Sequence, residues 1–149
     1  MTALKRVSFF ARPELLLVTA VVGAFVAVVS AIVLAMNGER GVIRSMLVGV
    51  AVGLPAMLYV KWGMGKHIGF YARFFTMPLS ERLSWPVQKK NWLYGWPSFV
   101  IWPALIIVSE WLGTSVICAW AVAWILMILV YPEQKAIYEA AKARLEEAE

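Results

Sequence analysis

Long apolar runs separated by short polar punctuation organise this chain. No side chain from Leu15 to Met36 is charged, and the apolar texture returns over Ser45–Val60, Asn91–Ser109 and Trp111–Pro132. A helix rises about 1.5 Å per residue and the hydrocarbon core of a bilayer is about 30 Å thick, so runs near 20 residues suit transmembrane helices. The first and last runs reach that length unaided; the middle two reach it with their flanks. The pattern predicts an all-α polytopic membrane protein, with about four transmembrane helices arranged as two antiparallel hairpins.

Punctuation sets the boundaries. Pro13 suits a first helical turn, where its missing N–H is not needed, and Asn37-Gly38 suits a helix end, so the first span covers about 13–36. The connection 37–41, which includes Glu39 and Arg40, is short and returns the second span antiparallel beside the first, over about 42–62. Arg44 and Lys61 lie near its ends, where long cationic side chains reach the headgroups. The remaining apolar block is interrupted only around Glu110, and as one helix it would be about twice the bilayer thickness. Gly113 is therefore expected to end a third span over 96–113, and Thr114 or Ser115 to cap a fourth over 114–132. Beyond Tyr131-Pro132 an Ala/Glu/Lys-rich texture predicts a solvated tail helix within 133–149. Its Ile137, Ala141 and Leu145 form a narrow stripe suited to the membrane surface or a partner helix.

Composition agrees: 62% of the 149 residues are hydrophobic and 15% charged, against about a quarter charged in soluble domains. Four spans leave no room for a soluble catalytic module, so the chain reads as a single transmembrane domain, 1–149. Its one cysteine, Cys118, lies within the fourth run, which excludes an intrachain disulfide. The first apolar run is longer than the hydrophobic part of a secretory signal and reads as an uncleaved span.

Charge placement orients the chain. Lys61, Lys66, Arg73, Arg82, Lys89 and Lys90 face only Glu81 across the central stretch, while the turns at Glu39/Arg40 and Glu110 carry little net charge. The positive-inside rule puts the central segment and both termini in the cytoplasm, and Lys5, Arg6 and Arg12 argue for the same side. The expected location is a bacterial inner membrane, crossed several times. Within the central segment, 63–95, the aromatic residues Phe70, Tyr71 and Trp85 mix with Lys66, Arg73, Arg82, Lys89 and Lys90. That mixture predicts short interfacial helices, broken near Pro78 and Pro86, that hold anionic lipid.

Candidate chemistry is sparse. Glu110 is the only acid inside an apolar block; it suits a solvated turn between spans or, alternatively, an ion path. His67 is the sole histidine and Cys118 has no partner thiol, so no metal or haem site is expected and no cofactor is implied. Gly49-x-x-x-Gly53 fits the small-residue pattern of close helix packing. Trp120 and Trp124 share one helix face with Met127 and read as packing residues, or as a platform for a quinone, a lipid tail or another subunit. No nucleophile with its base and no glycine-rich phosphate loop is visible, and the basic charge suits lipid rather than nucleic acid. The expectation is a noncatalytic small integral subunit of a larger membrane complex, with anionic lipids and other membrane subunits, or a second copy, as partners. The rival readings are a homo-oligomeric pore or small transporter, and an enzyme acting on a lipid headgroup or polyprenyl phosphate.

Overall fold

The computed structural model describes residues 7–38 and 41–148. Lys5, Arg6, Glu39, Arg40 and Glu149 lie outside the described residues, so the orientation argument from the first two and the charge of the first turn have no structural counterpart. The described residues form helices and turns, without strands: α1 (Glu14–Met36), α2 (Val42–Lys66), α3 (Ile68–Thr76), α4 (Leu79–Arg82), α5 (Trp85–Gly95), α6 (Pro97–Leu112), α7 (Val116–Leu126) and α8 (Tyr131–Glu147). Short 3-10 turns at Phe9–Ala11 and Met127–Val130 precede α1 and α8.

Helices Glu14–Met36, Val42–Lys66 and Val116–Glu147 are long and apolar enough to cross a membrane, and α5 with α6, bent by 58°, pass the same test as a pair. Pro132 does not stop the helix: the chain tightens into a 3-10 stretch, and α7 and α8 form one body of 32 residues. Gly113, at φ +63°, closes α6, and the Ser115 hydroxyl caps α7 by accepting from the Cys118 N–H at 3.3 Å.

Sequence neighbours are not the main spatial neighbours. α1 and α2 run antiparallel but scarcely touch, because α7 packs on both. On the α2 side α7 runs parallel in constant register. The Ser45 hydroxyl accepts from the Ser115 N–H at 2.9 Å, 70 residues along the chain. The same offset brings Gly49 against Ala119 and Gly53 against Ala123. A period of four small residues on each helix removes the side-chain layer, so the backbones approach and dispersion contacts multiply. On its other side α7 runs antiparallel to α1, with Gly23 against Trp124 and Ala121. α6 packs antiparallel along α2, with Tyr59 beside Trp96, and also meets α7 through Trp102.

Two prolines interrupt this frame, and α2 places a donor near each. Pro97 has no N–H for the Leu93 carbonyl four residues earlier, and there α5 and α6 diverge; the Tyr59 hydroxyl donates to that carbonyl at 3.2 Å. Beside Pro132 the Lys61 ammonium donates to the Leu129 carbonyl at 3.1 Å and meets the Glu133 carboxylate at 2.7 Å and 2.9 Å. One cation thus ties α2 to the distorted turn and to the start of α8.

The region beyond α2 is folded back under the bundle. α3 packs along α8, which covers Tyr71 and Ala72 and buries Ile137 and Ala141 completely, so the tail's apolar stripe is spent on the chain's own helix. Breaks fall at Met77-Pro78 and at Leu83-Ser84, where Pro86 starts α5 rather than interrupting it.

The packing makes a graded prediction. A Cβ at Gly49 would lie 2.6 Å from the Ala119 carbonyl oxygen and one at Gly63 would run into the Tyr94 carbonyl, whereas at Gly53 the nearest atom is the movable end of Leu126 at 3.1 Å. Gly49→Ala and Gly63→Ala should each cost about 1–3 kcal/mol, as overpacking does, and Gly53→Ala far less. Thermal unfolding in detergent reads the order; equal losses at Gly49 and Gly53 would refute the seam.

A second test concerns the ion pair. Glu133→Gln should destabilise by about 1–3 kcal/mol because it strands a partly buried ammonium, while Lys61→Met with Glu133→Leu together should recover most of the loss. A double-mutant cycle measures this, and zero coupling would show that the pair contributes nothing.

Candidate functional site

A space lined partly by polar side chains lies between α1 and α6. These helices do not pack on each other; both lean on the α2–α7 pair, which leaves a cleft of about 310 Å³ open to one side. Its floor comes from α2 and the 3-10 turn after α7: Met57, Val60, Met64, Met127 and Val130. Leu15 and Leu16 form one wall and Trp102 the other, with Ser98 nearer the α5–α6 bend. Phe10, Tyr71 and Phe75 add aromatic surface, and Arg12 and Asn91 add polar groups. Three unbranched methionines make the floor adaptable in shape.

Sequence logic explains how each wall is placed. Gln134, 7% exposed, donates from its amide to the Phe10 carbonyl at 3.3 Å and the Ala11 carbonyl at 2.9 Å. That bond pins the turn carrying Phe10 and Arg12 to α8. The Arg12 guanidinium lies 5.7 Å from the Phe9 ring centroid, and among the described residues no carboxylate pairs with it. Gly95 leaves room for the Tyr71 hydroxyl, which would sit 3.3 Å from a Cβ there. Burial first, and the neighbouring Tyr94 and Tyr59 phenols second, push the Tyr71 phenol up to about 12, so it is neutral at physiological pH.

The residues expected from sequence to meet lipid are divided by the fold. Lys89, Lys90 and Trp85 are exposed on α5, and the Lys66 ammonium lies 5.0 Å from the Trp62 ring centroid. Arg73 pairs with Glu81 at 3.5 Å. Arg82 is committed to its own turn, donating to the Met77 carbonyl at 3.1 Å with its guanidinium beside the Phe74 ring. Phe70 is half-buried against Tyr71, Phe74 and Tyr94. Tyr71, read as an interface residue, is 6% exposed, because α8 covers the face of α3 that carries it.

The other candidates are placed as follows. Gly49 and Gly53 are buried against α7. Trp120 and Trp124 both meet Trp102 of α6 edge-on, and the Trp120 indole N–H donates to the Trp102 carbonyl at 3.2 Å. Glu110 is exposed in the last turn of α6. His67 stacks on Tyr94 with centroids 3.6 Å apart, at the joint between α2 and α3. Cys118 is buried in α7. No cluster of three or more His, Cys, Asp or Glu suited to a metal ion occurs among the described residues.

Sequence reasoning missed the cleft's polar residues, Arg12, Asn91, Ser98 and Gln134. Gln134 had a legible signal: with Ile137 and Ala141 it occupies positions i, i+3 and i+7 of one helix face, where an amide needs a partner.

No family model matches the chain, no curated protein matches it in sequence, and no solved structure matches its fold.

Proposed function

We propose that this chain is a noncatalytic, multi-pass subunit of a larger membrane complex in a bacterial inner membrane. In this reading both termini and the α3–α5 segment lie on the cytoplasmic side and meet anionic lipid through Lys89, Lys90 and Trp85. The observation that carries it is the use made of inward-facing polar groups. Ser45 joins α2 to α7, Gln134 joins α8 to the first turn, Lys61 joins α2 to α8, and the Trp120 indole joins α7 to α6. Each closes a contact between helices. A conductor or carrier instead aims such groups along a hydrated path or at a midplane site. The outer face of α1 supports the same reading: Val18, Val21, Phe25, Val28 and Ile32 are exposed along its length, a surface suited to lipid or to another subunit.

Purification from native membrane at the natural expression level tests the role. A stoichiometric second protein is expected; a chain that runs alone, or as a self-oligomer that conducts ions in vesicles, would overturn the proposal in favour of a pore. Cysteine labelling tests the orientation. With Cys118 replaced, an impermeant reagent on intact cells should label cysteines at Gly38 or Gly113 and spare those at Ser84 or Ala140, and the reverse pattern would invert the topology.

A further inference from the structure

We propose that the cleft between α1 and α6 is a binding slot for one acyl chain of an anionic membrane lipid, with Arg12 and Asn91 receiving its headgroup. The inference rests on the membrane placement given above and assigns a ligand to a particular site in it. The cleft measures about 310 Å³, and most of its lining side chains are apolar. The same space falls at the small end of ligand sites, about 300–1,000 Å³, and suits a flexible chain.

The lining suits both ends of a lipid. From Met64 to Met57 on α2 the floor is apolar for about 10 Å, two helical turns. Arg12 and Asn91 are also among the lining residues, and their side chains carry donors suited to a phosphate or to the hydroxyls of a headgroup. Among the described residues no carboxylate neutralises Arg12, so charge complementarity selects an anionic over a zwitterionic lipid. The Gln134 bonds to the Phe10 and Ala11 carbonyls hold the Arg12 turn in place before any lipid arrives, which lowers the ordering cost of binding.

The full chain in neutral detergent, titrated with brominated phosphatidylglycerol or brominated phosphatidylcholine, tests the slot through tryptophan quenching. Trp102 lines the cleft, so phosphatidylglycerol should quench with a saturable component, and Trp102→Phe should remove that component while the other tryptophans keep the linear background of surrounding lipid. Phosphatidylcholine should need about tenfold more lipid for the same effect. Arg12→Gln should erase most of that difference. Leu16→Trp, which fills the cleft, should abolish one-to-one lipid retention in native mass spectrometry; Leu16→Met, at similar volume, should preserve it and so control for folding. Saturable quenching that survives Trp102→Phe, equal affinity for both lipids, or retention unaffected by Leu16→Trp in a folded chain would each overturn the proposal. Loss of the slot with a co-purifying partner retained would refute this inference alone, whereas a chain without a partner that still binds lipid would refute the subunit role alone.

Discussion

Close approach of α2 and α7 is the constraint on which the rest of the molecule depends. Within lipid, apolar surface gains nothing from leaving one hydrocarbon environment for another, so helices associate through dispersion at short range and through hydrogen bonds. Here both act in one register. Ser45, Gly49 and Gly53 lie against Ser115, Ala119 and Ala123, and the bond between the two serines fixes the phase. With that pair set, α1 has a seat on α7, and α6 has one along α2 that also reaches α7 through Trp102. The cleft is what remains where those two outer helices fail to meet.

Proline placement and donor placement are matched across the same pair. A proline in a helix leaves a carbonyl without its usual donor, a serious cost where no water is present. α2 carries Tyr59 and Lys61, two residues apart; Tyr59 donates a hydrogen bond to the Leu93 carbonyl that Pro97 leaves without its helical donor, and Lys61 donates to the Leu129 carbonyl in the 3-10 turn before Pro132. The bend between α5 and α6 is therefore part of the packing: the chain changes direction at a point where α2 offers a donor. The Lys61 ammonium adds the Glu133 carboxylate, so a single side chain satisfies a distorted turn and neutralises the first acid of α8.

How much of this the sequence discloses depends on which force is written into local pattern. Hydropathy locates helices because apolar length is measured directly against bilayer thickness, and Gly113 and Ser115 mark a helix end and a cap through backbone chemistry that is local. The Gly49-x-x-x-Gly53 motif likewise marks a close-packing face. The identity of the opposing helix is not local. A span that is apolar on all sides carries no amphipathic signal saying which face meets protein, and only the matching four-residue period of Ser115, Ala119 and Ala123 points to α7. Tyr71 illustrates the reverse difficulty: its composition suits a membrane interface, and only the stripe of Ile137 and Ala141, recognised as its cover, would have placed it inside. The cleft is harder still, being defined by a gap between helices rather than by a contact.

The position of α7 in the chain has a consequence for biogenesis. α1 and α2 are synthesised first, yet the helix that holds them both starts about 50 residues after α2 ends. At a translation rate of about 5–20 residues per second, that interval lasts several seconds. During it the first two spans, with little mutual contact, stand in lipid as separate rods whose glycine faces are unmatched. α7 then enters between them, and the α2–α7 seam forms only once it has been synthesised.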